Sequence, residues 1–154
     1  MIRRAVREDI GTLEDLLYQV QAIHAEGRPD IFKAGQKKYT AAELEEILAD
    51  DGRPVYVYEE EGKVSGYAFC IYQVTEENGQ LHPRKTLYID DLCVDKAERG
   101  KHIGSALYRH VLSAAEENGC DSVTLNVWQI NGEAQRFYER MGMKPLKTTM
   151  EMIL

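Results

Sequence analysis

The sequence has little of what marks several protein classes. It holds only three cysteines, Cys70, Cys93 and Cys120, which are widely spaced and include no CxxC pair. This pattern excludes a disulfide framework and a CxxC zinc or redox site, and it predicts reduced structural thiols. No apolar run approaches the ~18 residues of a membrane span, and no apolar signal-peptide core follows the basic N-terminal residues. We therefore expect a soluble cytoplasmic protein without membrane association.

Positive charge is also scarce. The chain has 19 basic and 26 acidic residues, for a formal net charge of -7. A nucleic-acid binder needs a basic face to neutralise phosphates, so this class is excluded. The acidic balance suits a cationic substrate, and it equally suits a protein that is acidic for solubility alone. The length of 154 residues predicts one domain, 1–154, with enough chain to bury a core.

Other kinds of site are missing as well. The four histidines show no metal-ligand spacing, so no metal is predicted. The Gly-x-x-x-x-Gly-Lys-Ser/Thr run of a P-loop nucleotide hydrolase does not occur. Cys93 has no histidine or acid placed by spacing to activate it as a nucleophile, so a buried structural thiol is the better interpretation.

What is present is an alternation of strand and helix patterns, read from the spacing of apolar and β-branched residues. The predicted elements are strand 2–6, helix 9–24, a short helix from 40 to about 50, strands 54–60, 64–74 and 86–94, helix 104–118, strand 122–127, helix 131–141 and strand 148–154. Asp9 and Asn131 are predicted N-caps, Thr40 with Glu43 forms a capping box, and Gly66 marks a bulge. The order β-α-α-β-β-β-α-β-α-β predicts a mixed sheet with helices on its faces.

The stretch Thr86–Ser105 combines a strand, a short basic turn and the start of a helix. Its strand carries the paired carboxylates Asp90 and Asp91. The first turn of a helix has about four N–H groups without intrahelical partners and a partial positive charge, so the loop before it suits a phosphate. Arg99 and Lys101 would reinforce such a site. The stretch therefore predicts a phosphate-binding loop beside two carboxylates.

Two segments carry a family resemblance. Residues 92–107, LCVDKAERGKHIGSAL, and residues 131–143, NGEAQRFYERMGM, resemble the GCN5-related N-acetyltransferase (GNAT) family. The resemblance in element order covers nearly the whole chain and implies an α+β fold with a mixed, mostly antiparallel central sheet and helices on both faces. The loop departs from the family pattern at His102, where a glycine usually stands. Histidine tolerates unusual backbone angles better than most residues, so we expect tuned cofactor binding.

The resemblance implies acetyl-CoA as the co-substrate. Its pyrophosphate would bind backbone N–H groups of the loop, and its pantetheine would pair with the strand Leu92–Val94, which in the family splays from the strand beginning near Ser122. Asn131 and Tyr138 would line the other side. The implied cofactor-binding residues are Leu92, Cys93, Val94, Arg99, Gly100, Lys101, His102, Ile103, Gly104, Ser105, Asn131 and Phe137.

The implied reaction is acetyl transfer to a primary amine by direct attack in a ternary complex. The amine must lose a proton, which Asp90 or Asp91 can accept directly or through water. Adjacent strand residues point to opposite faces, so only one should face the cleft unless a bulge intervenes. The match to polyamine acetyltransferases, which carry a Glu-Asp pair here, selects Asp90. Tyr138 would protonate the leaving thiolate, and the N–H of Leu92 or Cys93 would stabilise the oxyanion.

Plainer interpretations stay open for these residues. The two aspartates also suit a solvated strand end, and Tyr138 suits a core aromatic. His24, Asp30 and Phe32 lie where the family builds its acceptor site, and together with Trp128 they are candidate substrate contacts. An ordinary surface connection is the alternative for them.

The identity of the acceptor is also open. A polyamine or other small amine and the N-terminal amine of a peptide both fit the sequence. A non-catalytic module that binds acyl-CoA is an alternative of another class, and the presence of both candidate catalytic groups counts against it. The apolar C-terminal segment favours a homodimer, and so does the tendency of the family to form dimers.

Overall fold

Five strands and four α-helices make up the regular structure of the computed structural model, which describes residues 1–154. They are β1 (Ile2–Arg4), α1 (Ile10–Gly27), α2 (Ala41–Leu48), β2 (Val55–Glu60), β3 (Lys63–Thr75), β4 (Arg84–Val94), α3 (Ile103–Glu117), β5 (Ser122–Leu125) and α4 (Gly132–Arg140). Short 3-10 turns at Arg7–Asp9 and Lys96–Glu98 lie between β1 and α1 and between β4 and α3.

The strands form one sheet in the order β1-β2-β3-β4-β5. The first three pairings are antiparallel, and β4 pairs with β5 in parallel because α3 crosses over between them. The mixed, mostly antiparallel sheet that the resemblance implies is confirmed. The predicted hairpin of β2 and β3 is present, and its register shifts where Tyr58 pairs with Gly66 and Glu59 with Val64. The bulge predicted at Gly66 is therefore found at the adjacent Ser65.

Helices cover both faces of the sheet and create two cores. On the first face α1 and α2 pack against inward side chains of the sheet, including Leu13, Leu16, Leu17, Leu44, Val57, Tyr67 and Phe69. On the second face α3 and α4 do the same, with Leu87, Ile89, Leu107, Tyr108 and Val111 at the centre. Each fully buried leucine contributes roughly 1.5–3 kcal/mol of burial free energy. We refer to these sides as the α1/α2 face and the α3/α4 face.

The predicted C-terminal strand is wrong. Residues 143–154 have no regular secondary structure, and no strand lies beyond β5 in the sheet. Apolar residues alone do not make a strand, because its backbone groups need a neighbouring strand to pair with. The large apolar side chains of this segment are exposed, namely Leu146, Met150, Met152, Ile153 and Leu154. An ion pair between Glu151 and Arg28, at 3.0 Å, ties the segment to the end of α1.

The predicted cap of α1 is also wrong. The Asp9 carboxylate accepts hydrogen bonds from the Arg3 guanidinium at 2.7 Å and from the N–H of Val6 at 2.8 Å, and none from α1. The helix instead continues directly from the 3-10 turn, and it ends at Gly27 rather than His24. The arginine is the stronger partner for this buried carboxylate, since a charge-assisted hydrogen bond is about twice as strong as a neutral one.

The other predicted caps are confirmed. The Thr40 hydroxyl accepts from the N–H of Glu43, whose carboxylate accepts in turn from the N–H of Thr40. The Asn131 side-chain oxygen accepts from the N–H of Ala134 at the start of α4. None of the helices is long and apolar enough to cross a membrane.

Candidate active site

The strands β4 and β5 separate partway along the sheet. Their ladder begins at the pair Thr86–Ser122 and ends at Ile89–Leu125, where β5 stops. β4 continues through residues 90–94, of which residues 91–94 pair with β3 on the opposite side. The edge of this segment toward β5 therefore has backbone N–H and C=O groups without a strand partner. The end of this ladder lies where the resemblance implies an opening between the two strands.

A bulge in β4 places both aspartates on one face of the sheet. Asp91 pairs with Phe69 and Ile89 pairs with Cys70, so Asp90 is an extra residue without a partner in β3. Ile89 packs in the core of the α3/α4 face, whereas both carboxylates bond groups that lie on the α1/α2 face. The exception that the sequence allowed, a bulge in the strand, is therefore the one found, and it interrupts the alternation so that both aspartates point this way.

Asp90 is held by the segment that precedes α2. The Lys38 Nζ atom lies 2.8 Å from Oδ1 of Asp90 and 3.4 Å from its backbone oxygen. The Tyr39 hydroxyl donates to Oδ2, and the Tyr39 ring packs on Phe69. The Asp90 side chain is 12% exposed and the Lys38 side chain 44% exposed. A largely enclosed carboxylate is thus in contact with an amine that solvent reaches.

Asp91 lies beside it and bonds a different group. Its Oδ2 atom accepts a hydrogen bond from the Tyr67 hydroxyl at 2.8 Å. Removal from water raises the pKa of Asp91 to about 6, and the negative charge of Asp90 adds to the rise, while the Tyr67 hydrogen bond and the Lys38 charge oppose it. A carboxyl with a perturbed pKa in an opening of the sheet is typical of functional sites.

Tyr138 extends from α4 into the α3/α4 face. Its ring lies 5.1 Å from that of Phe137 and 6.2 Å from that of Tyr108, measured between centroids. Burial raises the pKa of Tyr138, and the charge of Asp91 raises it further, so the hydroxyl keeps its proton at neutral pH. A protonated hydroxyl is what a proton donor to a leaving group requires.

The loop before α3 has the backbone geometry of an anion site. Gly100 and His102 both adopt left-handed angles, with φ of 84° and 61°. His102 is the N-cap residue, and its conformation is one that glycine adopts without strain. The N–H of Ala106 bonds the carbonyl of His102, which leaves the N–H groups of residues 103–105 without intrahelical partners. His102 fills the glycine position of the motif by taking a glycine-like conformation.

A cleft of about 280 Å³ lies beside this loop. It is lined by Val94, Glu98, Arg99, Gly100, His102, Ile103, Gly104, Ser105, Phe137 and Arg140. Glu98 is the one acid in this lining, and it is paired with Lys63 at 2.7 Å and with Lys101 at 2.5 Å. Because its charge is balanced, the free N–H groups together with Arg99 and Arg140 leave the cleft suited to a pyrophosphate.

The other predicted cofactor contacts differ in which of their groups are available to a ligand. Leu92 and Val94 are half-buried on the α3/α4 face, near Phe137. Cys93 is buried on the opposite face, so only its backbone is available at the free edge of β4. The Asn131 oxygen is occupied by the cap of α4, which leaves its amide nitrogen for a ligand.

Three of the predicted substrate contacts form an aromatic cluster where the end of α1 meets the segment after β5. The Phe32 ring lies 4.8 Å from His24 and 5.0 Å from Trp128. Burial lowers the pKa of His24, and the positive charge of Lys38 lowers it further, so the imidazole is neutral at neutral pH.

The fourth residue does not join that cluster. Asp30 is exposed and forms an ion pair with Arg28 at 2.7 Å. Arg28 holds the pKa of Asp30 below its usual value. Asp30 is thus engaged within its own loop.

The thiols behave as structural groups. All three cysteines are free, and burial raises the pKa of Cys70 and of Cys93 to about 12. The Cys93 Sγ atom faces the backbone oxygen of Leu16 at 3.8 Å. No thiolate is therefore available near the carboxylates at neutral pH.

Sequence reasoning missed the three residues that bond the carboxylates. Lys38 and Tyr39 are 52 and 51 residues from Asp90, and Tyr67 is 24 residues from Asp91. The one local signal was the run Lys37-Lys38-Tyr39, a basic and aromatic triplet directly before the capping box. A larger polar groove of about 410 Å³, between α1 and the β2–β3 turn, contains none of the predicted site residues.

Comparisons with known proteins identify the family and the fold. The profile of the Acetyltransferase (GNAT) family matches residues 17–143. A crystal structure of a mutant protein from Bacillus halodurans superposes with a TM-score of 0.97 at 30% identity, and the match covers 100% of this chain and 99% of that one. An aminoglycoside N-acetyltransferase crystallised with CoA shares the fold, with a TM-score of 0.74 at 16% identity over 100% of this chain and 98% of that one.

Two other relatives have names that state an activity. The chain is 28% identical to thialysine N-epsilon-acetyltransferase from Bos taurus over 94% of its own length and 78% of the relative. It is 32% identical to streptothricin acetyltransferase from Streptomyces lavendulae, over 60% of its own length and 44% of the relative. The family profile spans most of the chain, including β4, the loop before α3 and the whole of the motif at residues 131–143. The chain belongs to the GNAT acetyltransferase family and is an N-acetyltransferase.

Proposed function

We propose that the protein transfers an acetyl group from acetyl-CoA to the amine of a small cationic acceptor, with Asp90 as the proton acceptor and Tyr138 as the proton donor. The contact between Lys38 and Asp90 is the observation that supports this most directly, since an ammonium lies 2.8 Å from the Asp90 Oδ1 atom. A carboxylate that holds a lysine ammonium has the charge and access needed to hold a substrate ammonium and remove its proton.

The residues around the opening fit the co-substrate. The free N–H groups of residues 103–105 and the Arg99 guanidinium would hold the pyrophosphate, and the unpaired edge of residues 92–94 would pair with the pantetheine amides. The Asn131 amide nitrogen and the Phe137 ring would line the other side. Bound acetyl-CoA supplies an activated acetyl thioester. The backbone N–H of Leu92 or Cys93 would stabilise the negative charge that develops on the carbonyl oxygen.

The two aspartates have separate roles in this proposal. Asp90 is in contact with the amine that occupies the site and therefore takes the proton, directly or through a water that the short aspartate side chain leaves room for. Burial raises the pKa of Tyr138 most, and the negative charge of Asp91 raises it further. Asp91 would thus keep the Tyr138 hydroxyl protonated until the thiolate leaves.

A small cationic amine is the acceptor class that the observations favour. The carboxylate pair selects positive charge, and the cluster of His24, Phe32 and Trp128 provides aromatic faces for an aliphatic or cationic chain. Two relatives are named for the acetylation of thialysine and streptothricin, and the first name specifies an epsilon nitrogen. These names support an amine at the end of a chain over the N-terminal amine of a peptide.

Binding and turnover can be tested separately. Acetyl-CoA should raise the melting temperature, and free CoA should be released with at least one amine from a panel of thialysine, polyamines, aminoglycosides and peptide N-termini. We expect Asp90→Asn to lower kcat by about 10²–10⁴-fold while leaving the thermal shift intact. Glu77→Gln, in the exposed loop between β3 and β4, is the matched control for loss of one carboxylate. A thermal shift without turnover on any amine would contradict the proposal and favour a binding module.

We also propose that the protein is a homodimer joined through its C-terminal segment. Residues 143–154 expose a cluster of large apolar side chains, and β5 has an unpaired outer edge to which an extended segment from a second copy can add. Light scattering on the intact chain should give twice the monomer mass, and a chain ending at Lys147 should give the monomer mass. A monomeric intact chain would contradict this part of the proposal.

A further inference from the structure

The amine of Lys38 lies where an acceptor amine must lie if Asp90 removes its proton. Its Nζ atom contacts both the carboxylate and the backbone oxygen of Asp90, at 2.8 and 3.4 Å. Asp90 is the first residue of β4 beyond its last pair with β5, which is Ile89–Leu125. A lysine side chain has four carbons and several rotatable bonds, so Nζ can move by a few ångströms without any change in the backbone.

We propose that the protein acetylates its own Lys38 and that this modification frees Asp90 for an external acceptor. The inference rests on the proposed function, because it requires acetyl-CoA at the opening and Asp90 as the base. In the unmodified protein Lys38 competes with a substrate ammonium for Asp90. An acetylated Lys38 carries no charge and loses this ion pair.

The chemistry balances with acetyl-CoA as the only co-reactant. The Lys38 ammonium gives one proton to Asp90, which passes it to solvent. The neutral amine attacks the thioester carbonyl, so that an N–C bond forms and the C–S bond breaks. Tyr138 protonates the departing thiolate and regains a proton from the attacking nitrogen. The products are acetyl-lysine, CoA with a free thiol and one proton in solution.

Other lysines of the chain are engaged elsewhere and serve as internal references. Lys37, the neighbour of Lys38, pairs with Glu14 at 3.2 Å and donates to the Tyr18 hydroxyl. Lys63 and Lys101 both pair with Glu98 at the cleft beside α3. Chemical acetylation by dissolved acetyl-CoA would modify exposed lysines broadly, whereas a reaction in the site selects Lys38.

The test is to incubate the purified full chain with acetyl-CoA and no acceptor, and to map acetylation by peptide mass spectrometry. We expect Lys38 to be modified at least about tenfold faster than Lys37, with a first-order rate constant that does not depend on protein concentration. Asp90→Asn and Tyr138→Phe should slow modification of Lys38 and leave that of Lys37 unchanged. Equal rates at the two lysines, or no effect of Asp90→Asn, would overturn the inference.

A second measurement is independent of turnover. Since Lys38 lowers the pKa of His24, acetylation should raise that pKa, and Lys38→Gln should reproduce the change. The two proposals fail in different ways. If acetyl-CoA binds and an amine is acetylated while Lys38 stays unmodified, only the self-acetylation is wrong. If acetyl-CoA gives no thermal shift, the proposed function fails with it.

Discussion

The hydroxyl of Tyr67 donates a hydrogen bond to the Oδ2 atom of Asp91 at 2.8 Å, across the pairing of β3 with β4. The bond connects a fully buried aromatic residue to the carboxyl whose pKa lies at about 6. Because Tyr67 stabilises the ionised form, it acts against the effect of burial on Asp91. Burial raises the pKa of Asp91 most, and the Tyr67 hydrogen bond is the largest of the contributions that lower it.

Removal of the Tyr67 hydroxyl should raise the pKa of Asp91. In Tyr67→Phe the burial of Asp91 remains and the hydrogen bond is lost, so its pKa should rise above about 6. Carbon-13 NMR titration of the Asp91 carboxyl measures this directly. Tyr58→Phe removes a hydroxyl from a half-buried tyrosine of β2 and should leave the Asp91 titration in place. A titration of Asp91 that is the same in both variants would show that the bond does not control its pKa.

The raised pKa of Asp91 also predicts how stability depends on pH. The folded protein holds this proton up to about pH 6 and the unfolded chain releases it near its ordinary value of 3.8, so the folded state binds more protons between these values. The contribution of Asp91 is therefore present at low pH and is lost as pH rises through about 6. Asp91→Asn removes this dependence and keeps an acceptor for Tyr67.

We expect Asp91→Asn to be more stable than the wild type at neutral pH by about 3 kcal/mol, with the difference shrinking toward pH 4. Urea unfolding of both proteins at several pH values measures this difference, and other carboxyls cancel in it. A difference that grows as pH falls would mean that the folded state favours the charged carboxylate.

Removal of the Lys38 charge should have a measurable effect on the pKa of the His24 imidazole. Burial and the Lys38 charge both lower the pKa of His24, so Lys38→Met should raise it part of the way toward its ordinary value. Proton–nitrogen NMR of the imidazole reports the change, and His110, whose pKa is lowered by burial on another face, is an internal reference. Lys37→Met is the matched control, because Lys37 pairs with Glu14. An unchanged His24 in Lys38→Met would place the ammonium away from the aromatic cluster.

These long-range relationships explain why sequence reasoning reached only part of the site. The helices, most strands and the loop before α3 follow from local periodicity, capping residues and motif spacing, which a short window of sequence contains. The bulge at Asp90 depends on how β4 aligns with β3, and the partners of Asp90 come from about 50 residues earlier. The C-terminal segment 148–154 has the composition of a strand without a neighbour in the chain to pair with, and composition cannot reveal that.

Variants at His102 show how well the loop before α3 tolerates a side chain in the glycine position of the motif. It adopts φ 61° and ψ 15°, where a non-glycine residue costs about 1–2 kcal/mol and histidine somewhat less than most. His102→Gly relieves this strain but gains freedom in the unfolded chain, so we expect stability within about 1 kcal/mol of the wild type and unimpaired CoA binding.

A β-branched residue at the same place has the opposite effect. His102→Val should lose about 1–2 kcal/mol of stability and bind CoA more weakly, because the N–H groups of the loop would turn away. Thermal unfolding and calorimetric titration with CoA compare the two variants. Equal CoA affinity in both would show that the backbone at this residue does not shape the anion site.

Gly66 of β3 lies close to both β4 and α3. A Cβ atom added there would lie 2.9 Å from the backbone oxygen of Cys93, and 3.1 and 3.2 Å from side-chain atoms of Leu107 and Ile103. The first contact is with backbone, which can yield only if β3 moves away from the part of β4 that borders the opening. Gly66→Ala should therefore cost about 1–3 kcal/mol of stability and weaken CoA binding as well.

Gly79→Ala is the matched control, because a Cβ added there meets nothing within 4 Å. It should change neither the free energy of urea unfolding nor the CoA affinity measured by titration. If Gly66→Ala lost stability but kept full CoA affinity, the spacing of β3 and β4 would matter for folding alone, and the opening beyond Ile89 would have to be set by β5.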